Sequence, residues 1–410
     1  MIGVLADDLT GAAELAGIAV RRGLEAVLVR GTARRCAAGA VCVDTDTRSR
    51  SPDDAAACVA AAARALRQAG AIRIYKKVDS VLRGPVLAEV EAVRRELGAS
   101  RVLLLPANPS RQRVIRGGHY FVAGTPLHET EFARDPGHPR RSSDVRDLLG
   151  RLPGVRVAVA GVSDPLPAAQ VVVAEATSPA DVKDWAARWR PEILAAGGAD
   201  FFEALLDRWD SETRVGGPAW NPTRAGQASG SLRPGHSAGL APRRLLWVSG
   251  TASPAAAAWI HRLAENGIAV VRLLEFFSGG SPAGGVDTNR AIEQCTAGLE
   301  QRGAVVLCLG NPGGAVSLPE SSLWVMRLAE AAGEVMRRAK PDLVFADGGA
   351  TAARLLERLG CECLRVTREW APGVVELAGG PEANLPVVVK PGSYPWPEEV
   401  ARLWSMCGGG

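Results

Sequence analysis

The chain has 410 residues, 47% of them hydrophobic and 22% charged, a length that exceeds what one core usually supports and an apolar content that excludes wholesale disorder. Two domains are expected. The net charge of +4 comes from arginines scattered over expected helix faces, such as Arg64, Arg67, Arg94 and Arg95, which excludes a nucleic-acid footprint. No run approaches the ~20 apolar residues of a membrane helix and no leader pattern precedes the first strand, so a soluble, cytoplasmic protein is expected. The eight cysteines include no CxxC pair, and Cys361 and Cys363 are too close for a structural zinc site, so reduced thiols and no metal centre are expected.

The apolar run Ile2–Ala6 predicts a buried strand that delivers Asp7-Asp8-Leu9-Thr10-Gly11-Ala12 into a turn. Strand ends form the ligand crevice of an open parallel sheet, so acids placed there can meet a substrate. Asp8 or Thr10 can equally cap the helix that begins near Gly11, and this segment alone does not decide between the readings. Strands are then predicted at 27–29, 40–43, 72–75, 102–105, 155–159 and 171–174, with helices over 52–69 and 86–97 between them.

Tyr75 to Gly84 repeats the pattern of a strand running into a polar turn. Lys77 and Arg83 are candidates to hold an anion, arginine offering a planar fork, and Asp79 is a candidate to orient a hydroxyl. The competing reading makes Asp79 or Ser80 a helix cap. The long loop from Pro106 to Tyr120 adds Arg113 and His119 as candidate substrate contacts. His119, His128 and His138 lie near Glu129, Glu131 and Asp135, but no pair has ligand spacing on one helix face.

Gly, Ser, Pro, Thr and Arg dominate between Asp210 and Pro242, which predicts a linker over 211–242 between domains at 1–210 and 243–410. A second α/β series follows, with strands at 245–248, 268–274, 305–309, 343–345 and 387–389. In it Trp247–Pro254 and Val344–Thr351 each read as a strand, a small-residue turn and a helix start, where main-chain N–H groups can cradle phosphate. Neither GxxxxGK[ST] nor a well-placed GxGxxG is present. The fold class expected is therefore α/β, two domains with mainly parallel sheets and an active-site cleft between them.

Taken together and in order, Ala6–Ala12, Asp44–Arg50, Lys76–Gly84, the Pro106–Gly124 loop, Ser249–Ser253, Gly348–Thr351, Pro372-Gly373 and Lys390–Gly392 resemble the four-carbon acid sugar kinase family over nearly the whole chain. The resemblance implies an N-terminal domain for a sugar acid such as threonate, erythronate or an oxo-tetronate and a C-terminal domain for ATP with Mg2+. It implies sugar-acid contacts at Asp7, Asp8, Arg48, Lys77, Asp79, Ser80 and Arg83, with Asp8 as general base and Thr10 left as the helix cap. On the ATP side it implies Ser253, Gly348, Gly349, Thr351 and Gly392, with no nucleic-acid or membrane partner and a homodimer left open. The chain departs from the family pattern at Glu14, Val81, Pro85 and Ala350 and in Lys390-Pro391-Gly392-Ser393-Tyr394-Pro395. The last change motivates an alternative, a catalytically silent protein that binds sugar acid or nucleotide. A nicotinamide-dependent oxidoreductase is disfavoured by the missing dinucleotide fingerprint.

Overall fold

The structure, a computed structural model, describes residues 1–31, 38–135, 137–216, 244–251, 253–276, 288–310, 318–379 and 385–407. The chain divides into two compact units, Met1–Ser231 and Leu232–Gly410. In the N-terminal unit, β1 (Ile2–Ala6) leads to α1 (Leu9–Arg21), β2 (Ala26–Arg30), β3 (Ala40–Asp44), α2 (Pro52–Gln68), β4 (Arg73–Lys77), α3 (Val86–Leu97) and β5 (Arg101–Leu105). β6 (Arg113–Arg116), β7 (His119–Val122) and β8 (Thr125–Pro126) follow, then α4 (Val145–Leu149), β9 (Val157–Ala160), β10 (Val171–Ala174), α5 (Pro179–Arg188), β11 (Ile193–Gly197) and α6 (Ala199–Gly216).

The main sheet of this unit is parallel in the order β2-β3-β1-β4-β11-β5-β10-β9. Every residue of β1 and β3 is buried, as expected of strands covered by helices on both faces. From β1 the chain first runs out to β2, returns to β3 between β2 and β1, and then crosses to the other side at β4. The strand order therefore reverses beside β1, and the C-terminal ends of β1, β3 and β4 open on the reversal, where such sheets bind ligands.

Local chemistry explains the helices around this point. Ser51 caps α2, with Pro52 in its first turn and Asp53 and Asp54 at its positive end. α1 starts at Leu9, earlier than expected near Gly11, and its cap is Asp8, whose carboxylate accepts the Gly11 N–H at 2.8 Å. That corrects the assignment of the cap to Thr10, whose hydroxyl instead donates to Asp8 at 2.7 Å.

The C-terminal unit contains β12 (Leu245–Ser249), α7 (Pro254–Glu265), β13 (Ala269–Arg272), α8 (Thr288–Arg302), β14 (Ala304–Cys308), α9 (Leu318–Ala339), β15 (Leu343–Asp347) and α10 (Gly349–Arg358). β16 (Cys363–Ala371), β17 (Val374–Ala378), β18 (Val387–Lys390) and α11 (Glu398–Cys407) complete it. Its strands are ordered β13-β14-β12-β15-β18-β17-β16, parallel up to β18 and antiparallel beyond. Here the order reverses between β12 and β15. Trp247 stacks on Phe345 with ring centroids 5.4 Å apart, and Trp259, Trp396 and Trp404 close the core around them.

Both units are α/β with mainly parallel sheets. The expected strand at 268–274 stops at Arg272, where a 3-10 turn takes over. The Pro106–Tyr120 segment, expected as a loop, contains β6 and the first half of β7 of the three-stranded antiparallel sheet β6-β7-β8. Residues 211–216, expected in the linker, belong to α6, and 217–242 lie outside the described residues. No described helix is long and apolar enough to cross a membrane.

Candidate functional site

In the N-terminal unit the strand ends place acids and bases by simple alternation. Successive residues of β4 face opposite sides of the sheet, so Lys76 and Lys77 part company. Lys76 turns toward α3 and pairs with Glu89 at 2.9 Å, both fully buried, while Lys77 turns toward α1 and lies 3.6 Å from Glu14. Glu89 also accepts the Thr47 hydroxyl, and Thr47 contacts Thr45, whose hydroxyl donates to the Ala6 carbonyl at 2.8 Å. The turn after β3 is thereby tied to both β1 and α3. Its main chain completes the tie, since the N–H groups of Thr47 and Arg48 donate to the Asp7 carbonyl at 3.0 and 3.2 Å.

That turn carries Arg48 onto the acids after β1. Its Nε donates to Asp7 Oδ2 at 2.7 Å and its Nη1 to Asp8 Oδ2 at 2.9 Å, and Nη2 lies 4.0 Å from Asp79. Asp7 is buried, and its Oδ1 has no hydrogen-bond partner. Burial pushes the Asp8 carboxyl up, but Arg48, the Thr10 hydroxyl, Lys77 and the Gly11 N–H outweigh it and hold Asp8 below the usual carboxylate range.

A second turn, after β4, meets the first from the other side. Arg83 reaches Asp79 through Nε and Nη2, both at 2.8 Å, and Asp135 through Nη1 at 2.8 Å. Burial raises Asp79, yet Arg83 first and Arg48 next hold it far below the ordinary value. Neither Asp79 nor Ser80 caps a helix, because α3 begins at Val86 after Pro85 and has no side-chain cap. Leu82 is buried with a φ of +60°, a strained conformation for leucine, and Arg140 donates to its carbonyl at 2.8 Å. Gly84, at φ +82°, passes so close to the Arg48 main chain that a Cβ would sit 2.8 Å from the Arg48 carbonyl oxygen. Only glycine lets the two turns touch.

Above these turns lies the segment around Phe132 and Asp135. The Phe132 ring has Arg113 at 5.4 Å and Arg83 at 5.9 Å from its centroid, and Arg113 donates to the Ser80 hydroxyl. His138 stands among Asp135, Arg83, Arg140 and Arg48, with burial first among the influences that hold its imidazole below the usual range. Asp7, Asp8, Arg48, Lys77, Asp79, Ser80 and Arg83 are thus one cluster, which Arg113 joins. His119 is exposed on β7 and lines a separate surface cavity with His128 and Arg141.

Asp44, at the end of β3 beside this cluster, is pushed into the neutral range. Burial and then the Asp8 charge raise it to about 7, against the Asp46 N–H, which Asp44 accepts at 3.0 Å. A raised carboxyl keeps in the fold a proton that the unfolded chain releases, so stability falls as pH rises from about 4 toward 7. Asp44→Asn is expected to remove this slope and to be the more stable protein at about pH 8, by on the order of 1–4 kcal/mol. Urea denaturation at about pH 5 and pH 8 checks it, and an unchanged slope would contradict the assignment.

The C-terminal unit brings together its own set after β12, β15 and β18. Ser253 caps α7, accepting the Ala256 N–H at 3.2 Å. α10 has Gly348 at its cap position, with a φ of +99° and no capping side chain, so Gly349 and Thr351 lie in a first turn whose N–H groups have no intrahelical partner. Gly250 donates to the Thr351 hydroxyl at 3.2 Å, and a Cβ on Gly250 would lie 2.4 Å from that oxygen. A Cβ on Gly392 would lie 3.4 Å from the Thr251 hydroxyl and 3.9 Å from Gly348. These close approaches leave a main-chain cradle at a helix N-terminus, the chemistry that suits phosphate. Beside it Lys390 pairs with Asp347 at 2.9 Å and donates to the carbonyls of Pro391 and Tyr394 at 3.0 and 2.6 Å, which fixes the turn despite Pro391. Burial dominates Asp347 and raises it despite Lys390.

Glu89 and Phe132 escaped the sequence reading, and Asp135 entered it only beside the histidines, not as a partner of Arg83. Glu89 sits inside an ordinary helix pattern and faces the buried side of α3. Asp135 and Phe132 lie in a segment with no periodicity, and only their position opposite Arg83 marks them.

Comparison with known proteins adds an independent line. A family model described as a sugar-binding N-terminal domain matches residues 2–205, and one described as a nucleotide-binding C-terminal domain matches residues 246–394. The D-threonate kinase of Bordetella bronchiseptica is 30% identical over 96% of this chain and 94% of its own length. The 3-oxo-tetronate kinase of Methylobacterium radiotolerans is 29% identical over 99% of both chains. The crystal structure of Haemophilus influenzae protein HI1011 shares the fold, with a TM-score of 0.69 at 18% identity over 98% of this chain and 99% of that one.

Proposed function

Because this chain belongs to the four-carbon acid sugar kinase family, we propose that it transfers the γ-phosphoryl group of ATP to a hydroxyl of threonate, erythronate or an oxo-tetronate. The observation that carries the reading is the cluster at the strand-order reversal of the N-terminal unit. It combines the partly exposed carboxylate of Asp8, an acceptor for a polyol, with guanidinium groups for an acid.

In this reading the substrate hydroxyl donates to Asp8. As its oxygen bonds to the γ-phosphorus and the bond to the β-phosphate oxygen breaks, Asp8 takes the proton and ADP leaves. Arg48 and Lys77 keep Asp8 ionised beforehand, and Thr10 and the Gly11 N–H fix its orientation. Gly250, Gly348, Gly349, Thr351 and Gly392 form the cradle for the ATP phosphates, and Ser253 fixes the start of α7 beside it. Mg2+ would be held by phosphate oxygens of ATP, since Asp347 beside the cradle is taken by Lys390, and it would neutralise phosphate charge.

A coupled ADP-release assay tests the reading. ADP is expected to form only when ATP and at least one of the three acids are both present. Binding of an acid without ADP release from any of them would favour the silent binding protein instead.

A further inference from the structure

The five cations around the acids are not equivalent. Arg48 is committed to Asp7 and Asp8, Lys77 lies against Glu14, and Arg83 spends its fork on Asp79 and its remaining nitrogen on Asp135. Arg140 donates to the carbonyls of Leu82 and His138 at 2.8 and 3.0 Å, which makes it a strap between two turns. Arg113 differs. Its side chain contacts the Ser80 hydroxyl and the face of Phe132, both uncharged, and among the described residues no carboxylate lies within ion-pair distance of it.

We propose that Arg113, with Ser80 beside it, is the anchor for the substrate carboxylate and the residue that separates acids from neutral polyols. The inference rests on the sugar-acid reading above. A carboxylate arriving at Arg48 or Arg83 would have to displace a buried acid and leave it unpaired, which is costly. At Arg113 nothing is displaced except the contact to one hydroxyl. The Phe132 ring backs the guanidinium, and beyond the bond to Ser80 four of its five N–H donors remain for a planar acid. Ser80 is also the residue after Asp79, so a carboxylate held there puts the hydroxyl-bearing chain beside the acids.

The test is isothermal titration of threonate, erythronate and an oxo-tetronate, and of the neutral four-carbon polyols, into wild-type protein and the variants Arg113→Gln and Arg113→Lys. Arg113→Gln is expected to weaken the best acid by about 10- to 100-fold and to erase its advantage over the polyol, with the KM for ATP unchanged. Arg113→Lys, a point charge without the fork, should fall between. Thermal melting of each variant separates lost binding from lost folding, and Arg116→Gln on the same strand serves as the unaffected control. Acid affinity in Arg113→Gln within threefold of wild type overturns the anchor while leaving the kinase reading standing. Failure of the wild type to bind any of the acids overturns both.

Discussion

Asp8→Asn is expected to lower kcat by about 10²–10⁴-fold while the protein stays folded and still binds sugar acid. The substitution is diagnostic because Asp8 has two duties that asparagine separates. Asparagine caps helices about as well as aspartate, so the bond from the Gly11 N–H and the start of α1 survive. It cannot take a proton from the attacking hydroxyl. Since its neighbours hold Asp8 below the usual carboxylate range, the base form is present throughout neutral and mildly acidic pH. Asp8 should therefore add no acid limb to the wild-type profile of kcat/KM above about pH 4. Steady-state kinetics with a melting curve for each protein are the measurement, and turnover within a few-fold of wild type would remove Asp8 from the mechanism.

Lys76→Met is expected to cost about 3–5 kcal/mol of folding stability. It strands the Glu89 carboxylate, 1% exposed, with only the Thr47 hydroxyl for company. The consequence spreads to function, because Thr47 precedes Arg48 and the Lys76–Glu89–Thr47 chain holds that turn. Replacing both partners, Lys76→Met with Glu89→Leu, should recover most of the loss, since an apolar pair of similar volume leaves no unpaired buried charge. Urea denaturation of the single and double variants decides it. A single variant within about 1 kcal/mol of wild type would show that the pair is not a structural tie.

The strand ends were legible because they are written locally. The apolar runs before Asp7-Asp8, Lys76-Lys77 and Asp347-Gly348 each announce a strand, and the polar turn that follows announces what the strand delivers. Whether Asp8 or Thr10 caps α1 was not legible, since either side chain can cap and only the geometry assigns Asp8 to the Gly11 N–H. The competition among cations was invisible for a different reason. Arg48 meets Asp7 across 41 residues and Arg83 meets Asp135 across 52, separations that no local pattern encodes. β11, reading Ile-Leu-Ala-Ala-Gly, lacks the β-branched run that marks β10, Val-Val-Val-Ala, and β16 and β17 carry charges within an antiparallel pair, which blurs the apolar signal of a strand.

The central claim is phosphoryl transfer from ATP to a four-carbon acid, and its most direct test is the phosphorus NMR spectrum of a completed reaction. With ATP, Mg2+ and the acid that best supports ADP release, a new phosphomonoester resonance is expected, with coupling to the carbon-bound protons beside the phosphorylated hydroxyl. Coupling would also identify that hydroxyl. A spectrum showing only ATP, or only ADP and inorganic phosphate, with every one of the acids would contradict the claim.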